Sequence, residues 1–111
     1  MTHLSDLTIP YSALQFEGDE KASATGVPAQ HEVLSALLMQ VVRRHAESLA
    51  DGEPVAPVSV SVDVTGQVSG AAPLDFESQV DRKTRTIIFI GGTATQEGRP
   101  LLKATAVYRI G

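Results

Sequence analysis

One long helical segment constrains this chain more than any other feature. Residues 29 to 50 contain neither glycine nor proline and are rich in residues that favour helices. Between Val33 and Val42, only Ser35 and Gln40 interrupt an otherwise apolar surface. Four polar residues then open a face toward solvent: Arg43, Arg44, Glu47 and Ser48. A helix of this kind has to be covered on most sides, so it does not suit a flat sheet that leaves one face wet.

Outside this helix the hydrophobic pattern changes to that of strands. From Val58 to Val64, valines alternate with polar residues, which predicts a half-buried strand. Three further strands are predicted within 74–81, 85–95 and 100–110, and two short, weaker ones within 13–16 and 21–27. The order is two weak strands, one helix and then four antiparallel strands in a meander. The economical fold is α+β, with a curved antiparallel sheet wrapped around one central helix.

The chain length suits one domain rather than two. Its 111 residues divide into an N-terminal arm, residues 1–12, and a single domain, residues 13–111. The last three predicted strands are long for so small a chain, and exposed strand edges have to be covered. We therefore expect a homodimer that extends the sheet, or a dimer of dimers.

Composition excludes several classes of function. The chain has no cysteine, which excludes a disulfide framework, a thiolate zinc site and a cysteine nucleophile. Its net charge of −4 argues against nucleic acid as the main partner. No apolar run approaches the roughly 20 residues of a membrane span, and the N-terminus lacks the features of a signal peptide, so we expect a cytoplasmic protein. The three histidines, His3, His31 and His45, have no metal-ligand spacing, so no metal site is expected.

The start of the helix resembles a known signature. Residues 30–40, Gln-His-Glu-Val-Leu-Ser-Ala-Leu-Leu-Met-Gln, resemble the helix start of hotdog-fold acyl-CoA thioesterases of the phenylacetate-pathway type. In those proteins His-Gly-Gly opens the helix, and an acidic residue follows nine positions after the histidine. Residues 58–110 resemble the family's four strands, including a basic turn at residues 82–85. The resemblance implies a hotdog fold, an acyl thioester as partner, and no cofactor beyond the coenzyme A of the substrate.

The catalytic positions depart from that signature. The two glycines are Glu32 and Val33, and the acidic position is Gln40. Since an amide has no basic lone pair near neutral pH, Gln40 can act neither as a nucleophile nor as a general base. It either orients a water or the thioester carbonyl, or makes a polar contact between subunits. Glu32 either replaces the missing acid or complements the helix dipole; Asp63 is a second replacement candidate unless it faces solvent.

The resemblance also implies roles for the residues around these positions. His31 would line the acyl-thioester site, and the backbone N–H groups of Glu32 and Val33 would receive the carbonyl oxygen. Otherwise His31 is a helix-start residue with a local hydrogen bond. Because His31 and Gln40 fall on opposite sides of a helical wheel, they share a site only if His31 precedes the helix or a partner subunit supplies one of them. The substrate-binding candidates for the phosphates of coenzyme A, unless they form a solvated turn, are Arg82, Lys83 and Arg85.

Two functions remain open. The first is an acyl-CoA thioesterase-like protein that hydrolyses or binds an acyl thioester at a dimer-interface site, with His31, Gln40 and Glu32 as catalytic candidates. The second is a catalytically inactive hotdog module that binds acyl-CoA or serves as an interaction or structural subunit. The residues at positions 32, 33 and 40 favour the second.

Overall fold

The computed structural model describes residues 8–70 and 72–111 and confirms the α+β architecture. One turn of 3-10 helix (Tyr11–Ala13) leads into a short hairpin of β1 (Gln15–Glu17) and β2 (Lys21–Ala24), which is followed by the helix α1 (His31–Ser48). Four longer strands follow, namely β3 (Val55–Val64), β4 (Leu74–Lys83), β5 (Ile87–Gln96) and β6 (Arg99–Ile110). All six strands form one antiparallel sheet that curves around the helix.

The order of strands in the sheet is β1-β2-β4-β5-β6-β3, so the predicted four-strand meander is wrong. Only β4, β5 and β6 form a meander, whereas β3 pairs with β6 at the edge of the sheet. The segment from residue 65 to residue 73 carries the chain from this edge across to β4. As a result, the strand that directly follows the helix has an outer edge without a partner among the described strands.

The helix packs its apolar side onto the middle of the sheet. Its fully buried residues meet buried side chains of β4, β5 and β6, among them Phe76, Ile90 and Leu102. Gly92 on β5 permits the close approach, because a Cβ at this position would lie 2.7 Å from Val42 Cγ2. Each large apolar side chain buried in this way contributes about 1.5–3 kcal/mol to folding. The buried helix residues are Val33, Leu34, Leu37, Leu38, Val41, Val42 and Ala46.

The expected half-burial of β3 is wrong for the single chain. Val60, Val62 and Val64 pair with buried residues of β6 and therefore face the helix side of the sheet. However, only Val62 is partly buried against the core, and Val60 and Val64 remain 47% and 60% exposed. We call these three residues the valine strip. Alternation predicts which residues share a face, but whether that face is covered depends on where the strand lies in the sheet.

The described residues contain no helix that is both long and apolar enough to cross a membrane.

Candidate functional site

An open groove separates the exposed side of the helix from the edge strand β3. It has a volume of about 260 Å³. One wall is formed by residues of α1 that lie three or four positions apart, and the other by Pro57 and Val60 of β3. Tyr108 of β6 lies between the two walls. We call this space the β3 groove. Its remaining lining residues are Tyr11, Ala36, Met39, Gln40 and Arg43.

Two of the predicted catalytic residues lie on the exposed face of the helix. Gln40 is exposed and lines the β3 groove directly. Glu32 is also exposed and lies two helical turns earlier, within about 80° of Gln40 around the helix axis. Ala36 lies between them on the same stripe. A carboxylate and an amide therefore flank one apolar stretch of the helix surface.

His31 points to a different part of the molecule. It is the first residue of α1 rather than part of the preceding loop, and its Nε2 lies 2.7 Å from the carbonyl oxygen of Gly66. Gln40 lies nine residues further along, which places it half a turn around the helix and about 13 Å along its axis. A single chain therefore does not bring His31 and Gln40 together. Because His31 does not precede the helix, the two residues can share a site only if a partner subunit supplies one of them.

The loop that receives His31 is fixed by a buried amide. Gln96 is 1% exposed, accepts a hydrogen bond from the Ser69 N–H at 2.9 Å and donates one to the Ala72 carbonyl at 3.3 Å. The N–H groups of Thr65 and Gly66 both donate to the carbonyl of Leu101. The sequence pattern does not identify Gln96, because the residue falls between two predicted strands and its partners lie more than 20 residues away.

The first turn of the helix offers free backbone donors. The first intrahelical hydrogen bond runs from the Leu34 N–H to the Gln30 carbonyl at 3.0 Å, and the Gln30 side chain makes no capping bond. The N–H groups of Glu32 and Val33 precede that bond and have no partner within the helix. Val33 is 0% exposed as a whole residue, backbone included, whereas Glu32 is exposed, so Glu32 offers the accessible N–H of the two in the single chain.

The predicted basic cluster lies at the other end of the sheet. Lys83 pairs with Ile88, whereas the loop that contacts His31 is anchored by Gln96 at the opposite end of β5. Eight steps along the strand at about 3.3 Å each separate these ends by on the order of 26 Å. Arg82, Lys83 and Arg85 are all exposed. Within one chain the basic turn and His31 do not share a site.

The candidate Asp63 and the helix residue Arg44 face away from the groove. Asp63 is exposed and pairs with Lys103, on the side of β3 opposite the valine strip. Arg44 lies 4.0 Å from the centre of the Phe16 ring and 3.7 Å from Asp19, so it fastens the β1–β2 hairpin to the helix.

Tyr108 and Arg43 form a polar end of the groove that sequence reasoning did not identify. Arg43 donates to the Val55 carbonyl at 3.3 Å and lies 3.6 Å from Glu47. Burial raises the pKa of the Tyr108 hydroxyl above its usual 10.0; the Arg43 charge lowers it and the Glu47 charge raises it. The phenol is therefore neutral at physiological pH and can donate a hydrogen bond.

Across residues 8–70 and 72–111, no three His, Asp or Glu residues are grouped so that they could hold a metal ion.

The family of the chain follows from its match to a known domain. Residues 33–109 match the model of the acyl-CoA thioesterase N-terminal domain, which is well over half of the chain. This chain belongs to that family. No curated protein matches it. The resemblance inferred from residues 30–40 and 58–110 is thereby confirmed at the level of the family.

Several solved structures share the fold of this chain. A candidate esterase from Mycobacterium tuberculosis is 16% identical, with 89% of this chain and 91% of that one covered and a TM-score of 0.79. A candidate thioesterase from Ralstonia eutropha, a phenylacetic acid degradation-related protein, is 17% identical (94% and 92% covered, TM-score 0.73). A Bacillus halodurans protein solved with CoA is 11% identical (88% and 71% covered, TM-score 0.76). At these identities the likeness shows the hotdog fold.

Proposed function

We propose that this thioesterase-family domain hydrolyses or binds an acyl thioester of coenzyme A at a site between two copies of the chain. The observation that carries the proposal is the uncovered β3 groove. It combines an apolar wall with Gln40, Arg43 and the Tyr108 phenol, which is the mixture of surfaces that a ligand pocket typically offers. One of its sides is open, so a second copy is needed to enclose a ligand.

The edge strand supports that second copy. β3 is ten residues long, its outer edge has no partner strand within the described chain, and Val60 and Val64 of the valine strip are exposed. An unpaired edge next to exposed apolar side chains favours pairing with another strand. Two β3 strands paired about a twofold axis would run the two helices antiparallel. His31 and Glu32 of one copy would then approach Gln40 of the other.

The chemistry of such a site follows from its donors. The backbone N–H of Glu32, at the positive end of the helix, would hold the thioester carbonyl oxygen and stabilise the negative charge that water attack develops on it. The N–H of the buried Val33 would join it only after a shift of the helix start. Gln40 would orient the water or the carbonyl. The basic turn would meet the phosphates of coenzyme A through charge. Arg82, Lys83 and Arg85 lie far from His31 of their own chain, so these contacts would come from the partner copy or from a ligand that crosses the interface.

Gln40 favours a second candidate function. An amide at the position where the family carries an acid removes the usual base, which suits a catalytically inactive module that binds acyl-CoA or serves as an interaction subunit. The open groove suits both candidates, since binding requires the pocket but not the base.

Release of free thiol from short, medium, long and aromatic acyl-CoAs separates the candidates. We expect turnover by the native protein that is lost in His31→Ala. Activity that appears only in Gln40→Asp would instead indicate an intact pocket without its acid, and thus a binding module. No thiol release by the native protein, His31→Ala or Gln40→Asp, together with no binding of the acyl-CoAs by titration calorimetry, would overturn both acyl-CoA readings and leave an interaction or structural subunit.

A further inference from the structure

The hydrogen bond of His31 determines which of its ring nitrogens is basic. Nε2 lies 2.7 Å from the carbonyl oxygen of Gly66. A carbonyl can only accept, so Nε2 carries the hydrogen and donates it. In the neutral ring the lone pair then resides on Nδ1. The imidazole belongs to the first residue of the helix, in the same turn as the free N–H groups of Glu32 and Val33.

The Gly66 carbonyl is held in place by an unusually close backbone approach. A Cβ at residue 66 would lie only 2.2 Å from the Pro100 carbonyl oxygen, so no other residue fits without a shift of the backbone. The N–H of Gly66 also donates to the Leu101 carbonyl at 3.3 Å. Residue 66 is therefore packed directly against β6, and its carbonyl direction is set by the sheet.

The loop of residues 65–73 places no charged side chain near the hydrogen bond between His31 and Gly66. Residues 65–73 have no ionisable side chain, and Arg99, the nearby cation of β6, donates to the Ser69 hydroxyl at 2.9 Å. Glu32, the next residue of the helix, is the one carboxylate of its first turn. A neutral carbonyl partner orients the ring without making it a fixed ion, which is what a proton acceptor requires.

We propose that His31 is the general base of this domain, acting through Nδ1, and that Gly66 is the positioning residue that fixes its tautomer. The inference rests on the proposed thioester hydrolysis. Nδ1 takes a proton from water as the water oxygen bonds to the thioester carbon. The C–S bond then breaks, and the imidazolium returns the proton to the departing thiolate, which gives a carboxylic acid and free thiol. His31 thereby supplies the basic lone pair that Gln40 lacks.

Nitrogen NMR of the three histidines tests the tautomer without any substrate. We expect His31 in its neutral form to carry its hydrogen on Nε2, with the signal identified by its loss in His31→Gln. His45 serves as an internal reference, because its Nδ1 faces the Ser78 hydroxyl at 2.9 Å, a partner that can donate or accept. Gly66→Ala should weaken the preference of His31, whereas Gly91→Ala, a glycine-to-alanine change in the middle of β5, should leave it intact. A hydrogen on Nδ1 of His31 would overturn the proposal.

Thiol release from acyl-CoA tests the role in catalysis. His31→Gln keeps a donor for Gly66 but has no basic nitrogen, so kcat should fall about 10²–10⁴-fold, the usual contribution of a general base, with little change in KM. Gly66→Ala should lower kcat by up to about 10²-fold through misplacement of the ring, with KM again little changed. Gly91→Ala should retain native kcat.

The pH profile distinguishes His31 from the carboxylate beside it. An imidazole base makes kcat/KM rise at a higher pH than a carboxylate base does. A rise in the carboxylate range that disappears in Glu32→Gln would overturn the assignment of His31 while leaving the proposed hydrolysis intact. A native kcat in His31→Gln would likewise overturn the assignment of His31 and leave the proposed hydrolysis intact. Absence of hydrolysis by the native protein would overturn the proposed activity, and the base role with it.

Discussion

Tyr108 joins the core of the domain to its groove. The residue is 2% exposed, packs with the buried side chains of β6, and also lines the space beside Gln40 and Arg43. Because burial raises the pKa of its hydroxyl, the phenol remains a neutral donor over the whole physiological range. One side chain thus contributes to folding through its ring and to the candidate site through its oxygen.

Tyr108→Phe is expected to make the fold less sensitive to alkaline pH. The pKa of Tyr108 is raised in the folded state, so the unfolded chain loses this proton first. Stability that depends on the neutral phenol is therefore fully present below about pH 10 and is lost as pH rises through the higher folded pKa. Free energies of unfolding in urea, measured from about pH 8.5 to pH 11, should fall less in Tyr108→Phe than in the native protein.

Tyr11→Phe is the matched control, because Tyr11 is 48% exposed. It should retain the native alkaline loss of stability. Equal losses in Tyr108→Phe and in the native protein would contradict the expectation.

At the scale of elements, the 65–73 loop depends on one side chain of β5. Gln96→Met keeps the approximate volume but removes the bonds to Ser69 and Ala72. We expect the free energy of unfolding to fall by about 1–3 kcal/mol, because a donor and an acceptor lose their partner in a buried setting. Urea denaturation measures this, with Gln79→Met on the exposed side of β4 as the control. Equal free energies of unfolding in Gln96→Met and Gln79→Met would show that water replaces the hydrogen bonds of the Gln96 amide without loss of stability.

The sequence predicts the elements well because their signals are local. The predicted helix of residues 29–50 compares with His31–Ser48 in the structure, and β4, β5 and β6 coincide with three of the segments predicted as strands. The position of β3 at the sheet edge was not predictable, since alternation is the same for an edge and a central strand. The same limit applies to the site. His31 and Gln40 were identified by resemblance, but the contact of His31 with Gly66 spans 35 residues and leaves no local signature.

At the scale of the whole molecule, one side of the domain is incomplete. The core is closed over β4, β5 and β6, while β3 and the adjacent helix face leave Val60, Val64 and the groove open to solvent. A monomer with this surface exposes apolar area that a second copy would cover. The oligomeric state is therefore the property of the molecule most directly linked to its candidate site.

Val60→Lys is expected to dissociate a dimer without unfolding the chain. Val60 is 47% exposed in the single chain, so the lysine can reach solvent there, but a second copy across the groove would bury its charge. We expect the dimer dissociation constant to rise by about 10²-fold or more, measured by sedimentation velocity over a range of protein concentrations.

Ser61→Lys places the same charge on the opposite face of the same strand and should leave the dimer intact. A native protein that stays monomeric at all concentrations, or a Val60→Lys dimer as tight as the native one, would show that this edge does not carry the association.

The open side of the β3 groove has a thermodynamic consequence. If the surface that contacts a ligand is completed only by self-association, ligand binding and dimer formation are linked equilibria, and each strengthens the other by the same factor. The apparent affinity for a ligand would then depend on protein concentration and weaken on dilution. A saturating ligand would raise the dimer fraction of a dilute sample, so the proportion of dimer would itself report occupancy of the site.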